Sequence, residues 1–328
     1  MKILILRFSS IGDIVLTTPL LRSIKNQKPE IEIHYLLKKK YKEILQLNPN
    51  ISKLYSFSSS IKEVTVELKK ENYDLIIDLH HNLRTLILKT ILKKPSNSFP
   101  KLNFYKWLLV RFKINKLPNI HIIDRYFSTL RTLNIFPDNK ECEYFLHDFT
   151  DEVKNILSEN YIAVSIGAQF FTKQIPIDKL KEIIQLLPQY NFILLGDKND
   201  FQKGENLISE LNSQYLINLC GKTSLNSSVH VLQKAKVLLT GDSGLMHIAT
   251  CFKVPIVSLW GNTVPDFGMS PYYPNNQNLS SIFEVKNLSC RPCSKIGFKA
   301  CPKKHFSCMM KQDTNKIAEQ IKKYVEKN

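Results

Sequence analysis

The chain reads as an α/β protein built on mainly parallel, doubly wound sheets, and three observations carry that reading. Short apolar runs alternate with helix-period segments along most of the 328 residues, the pattern of repeated strand–helix–strand units. Those runs end in small or polar turns: Ser9-Ser10-Ile11-Gly12-Asp13, Gly167-Ala168, Gly196-Asp197, Cys220-Gly221, Gly241-Asp242-Ser243-Gly244 and Gly261-Asn262-Thr263. In an open parallel sheet such loops gather along one edge, where ligands bind. The length, finally, suits two domains of ordinary size, each with its own core.

Taken in order, Lys2–Phe8 is an apolar strand that turns at Ser9–Asp13 into a helix over Ile14–Lys25. Pro19 lies inside that helix, so Thr18-Pro19 marks a kink or a restart after one turn. Ile31–Leu37 is the next strand, Tyr41–Leu47 a helix, and Leu75–Leu79 a third strand that opens the run DLIIDLHHNLRT. A boundary falls near Thr150–Tyr161, where the helix-like DEVKNILSEN gives way to a fresh strand, Tyr161–Ile166. Beyond it come a helix at Asp178–Leu186 and strands at Phe192–Leu195, Leu216–Leu219, Val237–Thr240 and Val254–Trp260. A last helix is expected over Gln312–Lys327.

Composition limits the function classes. An apolar fraction of 43% describes a globular protein, and no apolar stretch reaches the length of a bilayer span. Met1 leads straight into a strand pattern rather than a signal peptide, so a cytoplasmic location is expected. Seven cysteines, an odd count with Cys142, Cys220 and Cys251 scattered through apolar sequence, do not describe a secreted disulfide scaffold. The formal charge of +17 attracts anions, whether nucleic acid, an acidic lipid surface or a phosphorylated substrate.

The charge is uneven. Residues 1–150 hold 25 Lys and Arg against 14 Asp and Glu, and from Leu79 to Ile123 there is no acidic residue while nine are basic. Inside that segment FYKWLLVRFKI mixes Phe104, Trp107, Leu108, Val110 and Phe112 with cations. Such a composition suits a helix lying on an anionic interface. It equally suits an amphipathic helix docked on a sheet, and single-strand stacking is a third use of aromatic residues among cations.

Two half-sites emerge. In VLLTGDSGLMHIAT, Val237–Thr250, an apolar strand breaks at a Gly-rich turn and restarts as a helix. The first N–H groups of that helix, at Ser243 and Gly244, lack intrahelical partners, and the helix dipole adds positive charge there, so a phosphate fits. His247 follows one turn later and reaches the same side. A plain helix cap by Asp242 or Ser243, with His247 packed in the core, is the alternative that local sequence leaves open. Lys173, in the loop GAQFFTKQIP, adds charge for a diphosphate, and Asp200 or Asp197 suits a ribose hydroxyl. In the first half, Asp13 stands at the turn after the first strand, with Ser9, Ser10 and Gly12 allowing close backbone approach. It serves as a base or as a helix cap. Arg84, with His80 and His81, follows the third strand and suits an anionic group. No G-x-G-x-x-G follows either first strand and no Walker A lysine occurs, which weighs against dinucleotide oxidoreductases and P-loop NTPases.

Together FSSIGDIVLTTPLLRSIK, DLHHNLRT, GAQFFTKQIP, TGDSGLMHIATCFKVPIVSLWGNTVPDF and the terminal CRPC…C…HFSCM resemble glycosyltransferase family 9, the ADP-heptose:lipopolysaccharide heptosyltransferases. The resemblance runs from residue 1 to about residue 310 and implies a GT-B architecture, two Rossmann-like domains facing each other across a cleft. It places an acceptor-binding domain at 1–155, a nucleotide-sugar domain at 156–310, and a helix at 311–328 crossing back to the first domain. By the same likeness Asp13 matches the family's base, Lys173 its diphosphate lysine, and Asp242, Ser243, Gly244 and His247 its donor loop. Asp200 is assigned to the donor and Ser10, Gly12 and Arg84 to the acceptor.

The implied activity is inverting transfer of heptose from ADP-heptose to a lipid A–core acceptor, with neither metal nor cofactor, at the inner face of the cytoplasmic membrane. Contact with an anionic membrane surface is expected; nucleic acid is not. The alternatives are a GT-B transferase using another nucleotide sugar, or a basic membrane- or nucleic-acid-binding protein without catalysis. Cys290, Cys293, Cys301 and Cys308, with His305 nearby, have the inventory of a zinc site, but the second spacing is not a finger pattern. Metal, disulfide and free thiols stay open for them.

Overall fold

A computed structural model describes residues 1–147 and 160–327. It divides into two units: Met1–Leu102 with Asn119–Phe145, and Asn103–Pro118 with Leu146–Asn328. In chain order the first hundred residues form β1 (Lys2–Leu6), α1 (Ile11–Val15), α2 (Thr18–Gln27), β2 (Glu32–Lys38), β3 (Lys53–Phe57), α3 (Lys62–Lys70), β4 (Leu75–Asp78), α4 (Leu83–Leu92) and β5 (Ser96–Ser98). Helices α5 (Asn103–Phe112) and α6 (Ile122–Phe127) follow. After the undescribed stretch come β6 (Tyr161–Ser165), α7 (Ile177–Gln185), β7 (Asn191–Leu195), α8 (Phe201–Leu211), β8 (Leu216–Asn218) and α9 (Leu225–Lys234). The chain then runs through β9 (Val237–Gly241), α10 (Gly244–Cys251), β10 (Ile256–Trp260), β11 (Ser280–Glu284), α11 (Ser307–Met310) and α12 (Thr314–Lys327).

Both sheets are parallel throughout. The first has the order β3-β2-β1-β4-β5 and the second β11-β10-β9-β6-β7-β8. The central strands are apolar because helices cover both of their faces; KILIL, LIID and IVSLW are buried almost residue for residue. Strand order reverses between β1 and β4 in one sheet and between β6 and β9 in the other. Loops at those reversals part to opposite faces and leave a crevice at the carboxyl ends of the strands. The turn after β1 and the turn after β9, the two stretches singled out by sequence, therefore stand at the two switch points.

Several elements differ from expectation. Pro19 does start a new helix: α1 stops at Val15 and α2 takes Pro19 into its first turn. The expected helix at Tyr41–Leu47 is a 3-10 segment, Lys39–Ile44, whose only buried residue is Ile44. β3, α3, β5 and β11 were not anticipated; β5 reads Ser-Asn-Ser and lies on a sheet edge, where no apolar pattern is required. The expected helix DEVKNILSEN falls on residues 151–159, outside those described, and on Asn160.

Two segments expected at the first domain cluster with the second unit. Segment 103–118 belongs to the second unit, because Leu109 packs with Val264 and Phe267. In helix α12, Ile317, Ala318, Ile321 and Tyr324 sit in the core of the second unit, where α12 packs on α7, β9 and β10.

Candidate functional site

In the first unit the chemistry begins with Arg7, a cation at the end of an apolar strand. Its Nε donates to Ser9 O at 2.8 Å, one Nη donates to Leu79 O at 2.5 Å, and the other is paired with Asp13. One guanidinium thus ties the β1 turn to the β4 turn across the switch point. Asp13 also takes Ser10 N at 3.1 Å and Ser10 Oγ at 2.7 Å, closing a capping box on α1. Burial pushes the Asp13 carboxyl up, but the Arg7 charge and the Ser10 bonds outweigh it and hold the group at about 2. The structure brings Ser10, Gly12 and Asp13 together here, and the carboxylate is ionised at every physiological pH.

The β4 turn is built on Asp78, which is fully buried, pairs with Lys89 at 2.9 Å and accepts His80 N and His81 N at 3.1 and 2.6 Å. His80 packs on Phe8 with its ring tilted by 44° and 4.8 Å between centroids. Burial, then the charges of Arg7 and Lys101, push its imidazole down to about 3, so it is neutral and cannot hold a phosphate by charge. His81 instead lies outside, its Nδ1 3.1 Å from Phe99 O. Arg84 is exposed on the first turn of α4, beside exposed Leu83, Leu86 and Ile87.

In the second unit Ser243 caps α10: its Oγ accepts Met246 N at 3.4 Å and lies 2.8 Å from Thr240 Oγ1. Asp242 is paired with Lys173 at 2.6 Å and accepts Thr263 Oγ1 at 2.8 Å. The Lys173 loop can come this close only because two strand ends lack side chains. A Cβ on Gly241 would stand 2.1 Å from Lys173 O, and one on Gly261 2.8 Å from Thr172 O. Bonds between Thr172 and Phe298 hold the loop from above.

Lys173, Asp242, Ser243 and Gly244 are therefore brought together, and Gly244 stays partly accessible at the helix start. His247 is not at the surface: it is 2% exposed, as a packed helix residue would be. Asp200 lies against Gly167 at the end of β6, 4% exposed, with its carboxylate accepting Asp197 N at 3.1 Å and paired with Lys203 at 3.3 Å. It completes a capping box with Asp197 on the short 3-10 turn Lys198–Asp200 that follows β7.

Sequence reasoning missed Arg7, Thr263 and Arg291. The Arg291 Nε donates to Gly261 O at 2.6 Å, while an Nη reaches Thr263 O at 3.0 Å and Glu284 at 2.7 Å, fastening the turn after β10. The only local signal for Arg7 and Arg291 is a cation inside an apolar or cysteine-rich run. Cys290, Cys293, Cys301 and Cys308 are free thiols, and among the described residues no three His, Cys, Asp or Glu gather as metal ligands. Cys290 Sγ lies 4.0 Å from His305 Nε2, and burial pushes the Cys308 thiol up to about 12.

Two parallel Rossmann-type sheets, one with an ionised carboxylate at its switch point and the other with a helix N-terminus under a lysine, define a GT-B glycosyltransferase. The chain belongs to glycosyltransferase family 9 (heptosyltransferase), whose model matches residues 61–299. It is 28% identical over 314 residues to lipopolysaccharide heptosyltransferase 1 of Campylobacter coli, covering 87% of this chain and 90% of that one. Among solved structures it resembles the family 9 glycosyltransferase of Veillonella parvula, with a TM-score of 0.78 at 20% identity over 100% of this chain and 98% of the other. The Escherichia coli ADP-heptose heptosyltransferase II superposes with a TM-score of 0.73 at 19% identity, covering 100% and 99% of the two chains.

Proposed function

We propose that the protein transfers heptose from ADP-heptose to a lipid A–core acceptor, with inversion and without divalent metal, at the inner face of the cytoplasmic membrane. The observation that carries this reading is the bracket at the start of α10, where Lys173 and the helix N-terminus converge beside Asp242. An ADP leaving group gathers negative charge as the glycosidic bond breaks, and fixed positive groups lower the barrier most where charge develops. Lys173 divides its charge between Asp242 and the diphosphate, and the N–H groups at Gly244 and Leu245 add donors.

In the first unit Asp13, ionised and held by Arg7 and Ser10, takes the proton of the attacking hydroxyl in a single displacement. Ser10 and Gly12 let the acceptor approach the backbone, and exposed Arg84 meets its phosphates or acidic sugars. Asp200 and His247 stand on the donor side, the one capping the turn after β7 and the other within the first turn of α10. The acceptor is a membrane glycolipid, so the enzyme works against an anionic surface, which its charge of +17 favours. Relatives described as lipopolysaccharide or lipooligosaccharide heptosyltransferases support the sugar and the acceptor.

The test is incubation with ADP-heptose and truncated lipid A–core acceptors, read by mass, with and without EDTA. Addition of one heptose, unchanged by EDTA, is the expected result. No addition to any acceptor, with turnover of another nucleotide sugar, would replace the donor. Thermal shifts should rank ADP above UDP and above oligonucleotide; the reverse order would overturn the enzyme reading.

A further inference from the structure

Helix α5 is held to the second unit along one side only. Its sole buried residue is Leu109, packed with Val264 and Phe267, and Lys106 Nζ lies 5.6 Å from the centre of the Phe267 ring. The chain beyond the helix is pinned as well: Lys113 Nζ donates to Pro292 O at 2.7 Å and Asn115 Nδ2 to Asp266 at 2.6 Å. These ties fix which side of α5 faces outward.

The outward side is aromatic. Phe104, Trp107 and Phe112 are 64%, 51% and 54% exposed, with Tyr105 and Ile114 beside them in sequence and also exposed. The rings lean on one another, Phe104 on Trp107 at 6.0 Å and Trp107 on Phe112 at 5.3 Å between centroids. Leaving so much contiguous aromatic surface in water opposes the hydrophobic effect, and a patch of this kind marks a contact site. Segment 103–118 has four cations and no acid, so the surface that covers the ridge is apolar at depth and negative at its rim. A bilayer with anionic headgroups has that profile, and aromatic rings settle at the headgroup boundary.

We propose that the Phe104–Trp107–Phe112 ridge of α5 is an interfacial anchor that inserts into an anionic membrane surface. This rests on the reading that the acceptor is a membrane glycolipid, and it adds apolar insertion to a contact that charge alone would make fully salt-sensitive. It also attaches the anchor to the nucleotide-sugar unit rather than to the acceptor unit.

Trp107 and Trp260 are the only tryptophans, and Trp260 is 1% exposed, so a fluorescence change on adding vesicles reports Trp107. With phosphatidylglycerol-containing vesicles the emission should shift to the blue and be quenched by lipids brominated in the acyl chain; Trp107→Phe should abolish the signal while keeping binding. The exposed triple variant Phe104→Ser, Trp107→Ser, Phe112→Ser should partition about tenfold or more weaker at physiological salt. Arg111→Glu with Lys116→Glu should weaken binding mainly at low salt.

No quenching of Trp107, or unchanged partitioning of the triple serine variant, would overturn the anchor. A ridge covered by a second copy would instead show a blue shift with concentration and a doubled mass without lipid, and one that stacks nucleic acid would shift with oligonucleotide but not vesicles. Either result would also overturn it. Heptose transfer to a delipidated, soluble acceptor separates the two readings: it should survive the triple variant, and its absence from the wild type would remove the transferase reading while leaving vesicle insertion standing.

Discussion

Replacing Asp13 by Asn removes the charge that faces Arg7, and the structure sets the size of the effect. The carboxyl is held at about 2 against an ordinary value of 3.8, a depression of nearly two units, and each unit corresponds to about 1.4 kcal/mol. Because the folded value is the lower one, this stability is fully present above about pH 4 and is lost as pH falls through 4 toward 2. At neutral pH Asp13→Asn therefore loses about 2 kcal/mol, and the buried Arg7 guanidinium left behind raises the loss to about 2–4 kcal/mol. A fall in melting temperature of roughly 5–15 °C follows. Turnover has to be counted per folded molecule; the expected drop is about 10²–10⁴-fold, with ADP affinity near wild type, since the nucleotide loops lie on the other sheet. Arg7→Gln gives the complementary result. Without that cation the carboxyl keeps only the Ser10 bonds against the effect of burial and rises from about 2, so the acid limb of the pH–rate profile should move up. An Asn variant that turns over at the wild-type rate, or a pH profile indifferent to Arg7, would refute Asp13 as the base.

Lys173→Ala should weaken ADP binding about ten- to a hundredfold, the value of one charge-assisted contact, measured by calorimetry; unchanged affinity would move the diphosphate elsewhere. Gly241→Ala places a Cβ against Lys173 O and should raise KM for the donor while circular dichroism stays native. Arg291→Lys loses the forked contacts to Gly261 O, Thr263 O and Glu284 and should lower the melting temperature together with donor affinity. His80 should show no protonation by NMR between pH 7 and pH 5, given a value near 3; titration in that window would restore it as a phosphate-holding cation.

The alternation of apolar runs with helical periods was legible because a parallel sheet covered on both faces needs unbroken apolar strands, as KILIL and IVSLW are. The two switch-point turns were legible as breaks in that pattern, and the strand that ends in Gly-Asp-Ser-Gly announces the helix cap that Ser243 supplies. β5 was invisible because an edge strand of Ser-Asn-Ser carries no pattern. The destinations of α5 and α12 were also invisible. Each has a clear apolar stripe, but nothing local says that Leu109 meets Phe267, or that Ile317 and Ile321 enter the core around β9. The same holds for Arg7 and Arg291, whose partners are backbone carbonyls brought close by topology and carry no sequence signature. His247 was read from helical spacing alone, and its 2% exposure comes from packing that no local pattern records.

A carboxylate held at about 2 is a weak base, since proton transfer is favoured when the catalytic group lies near the working pH. Arg7 and Ser10 thus fix Asp13 in place and keep it ionised at the expense of its basicity. The arrangement works if the hydroxyl gives up its proton late, after the glycosidic bond has lengthened and the new bond has made the oxygen acidic. Early progress would then depend on the groups proposed to receive the ADP charge, Lys173 and the start of α10. Asp13 and Lys173 would act on different bonds at different stages, with no shared partner, and the losses from Asp13→Asn and Lys173→Ala should multiply in the double variant. Catalytic groups that act as one unit give the opposite pattern, the double variant being scarcely worse than either single one. Rate constants for the four proteins, taken at saturating acceptor and per folded molecule, decide between these. A double variant no slower than Asp13→Asn alone would mean that proton removal and departure of ADP occur together.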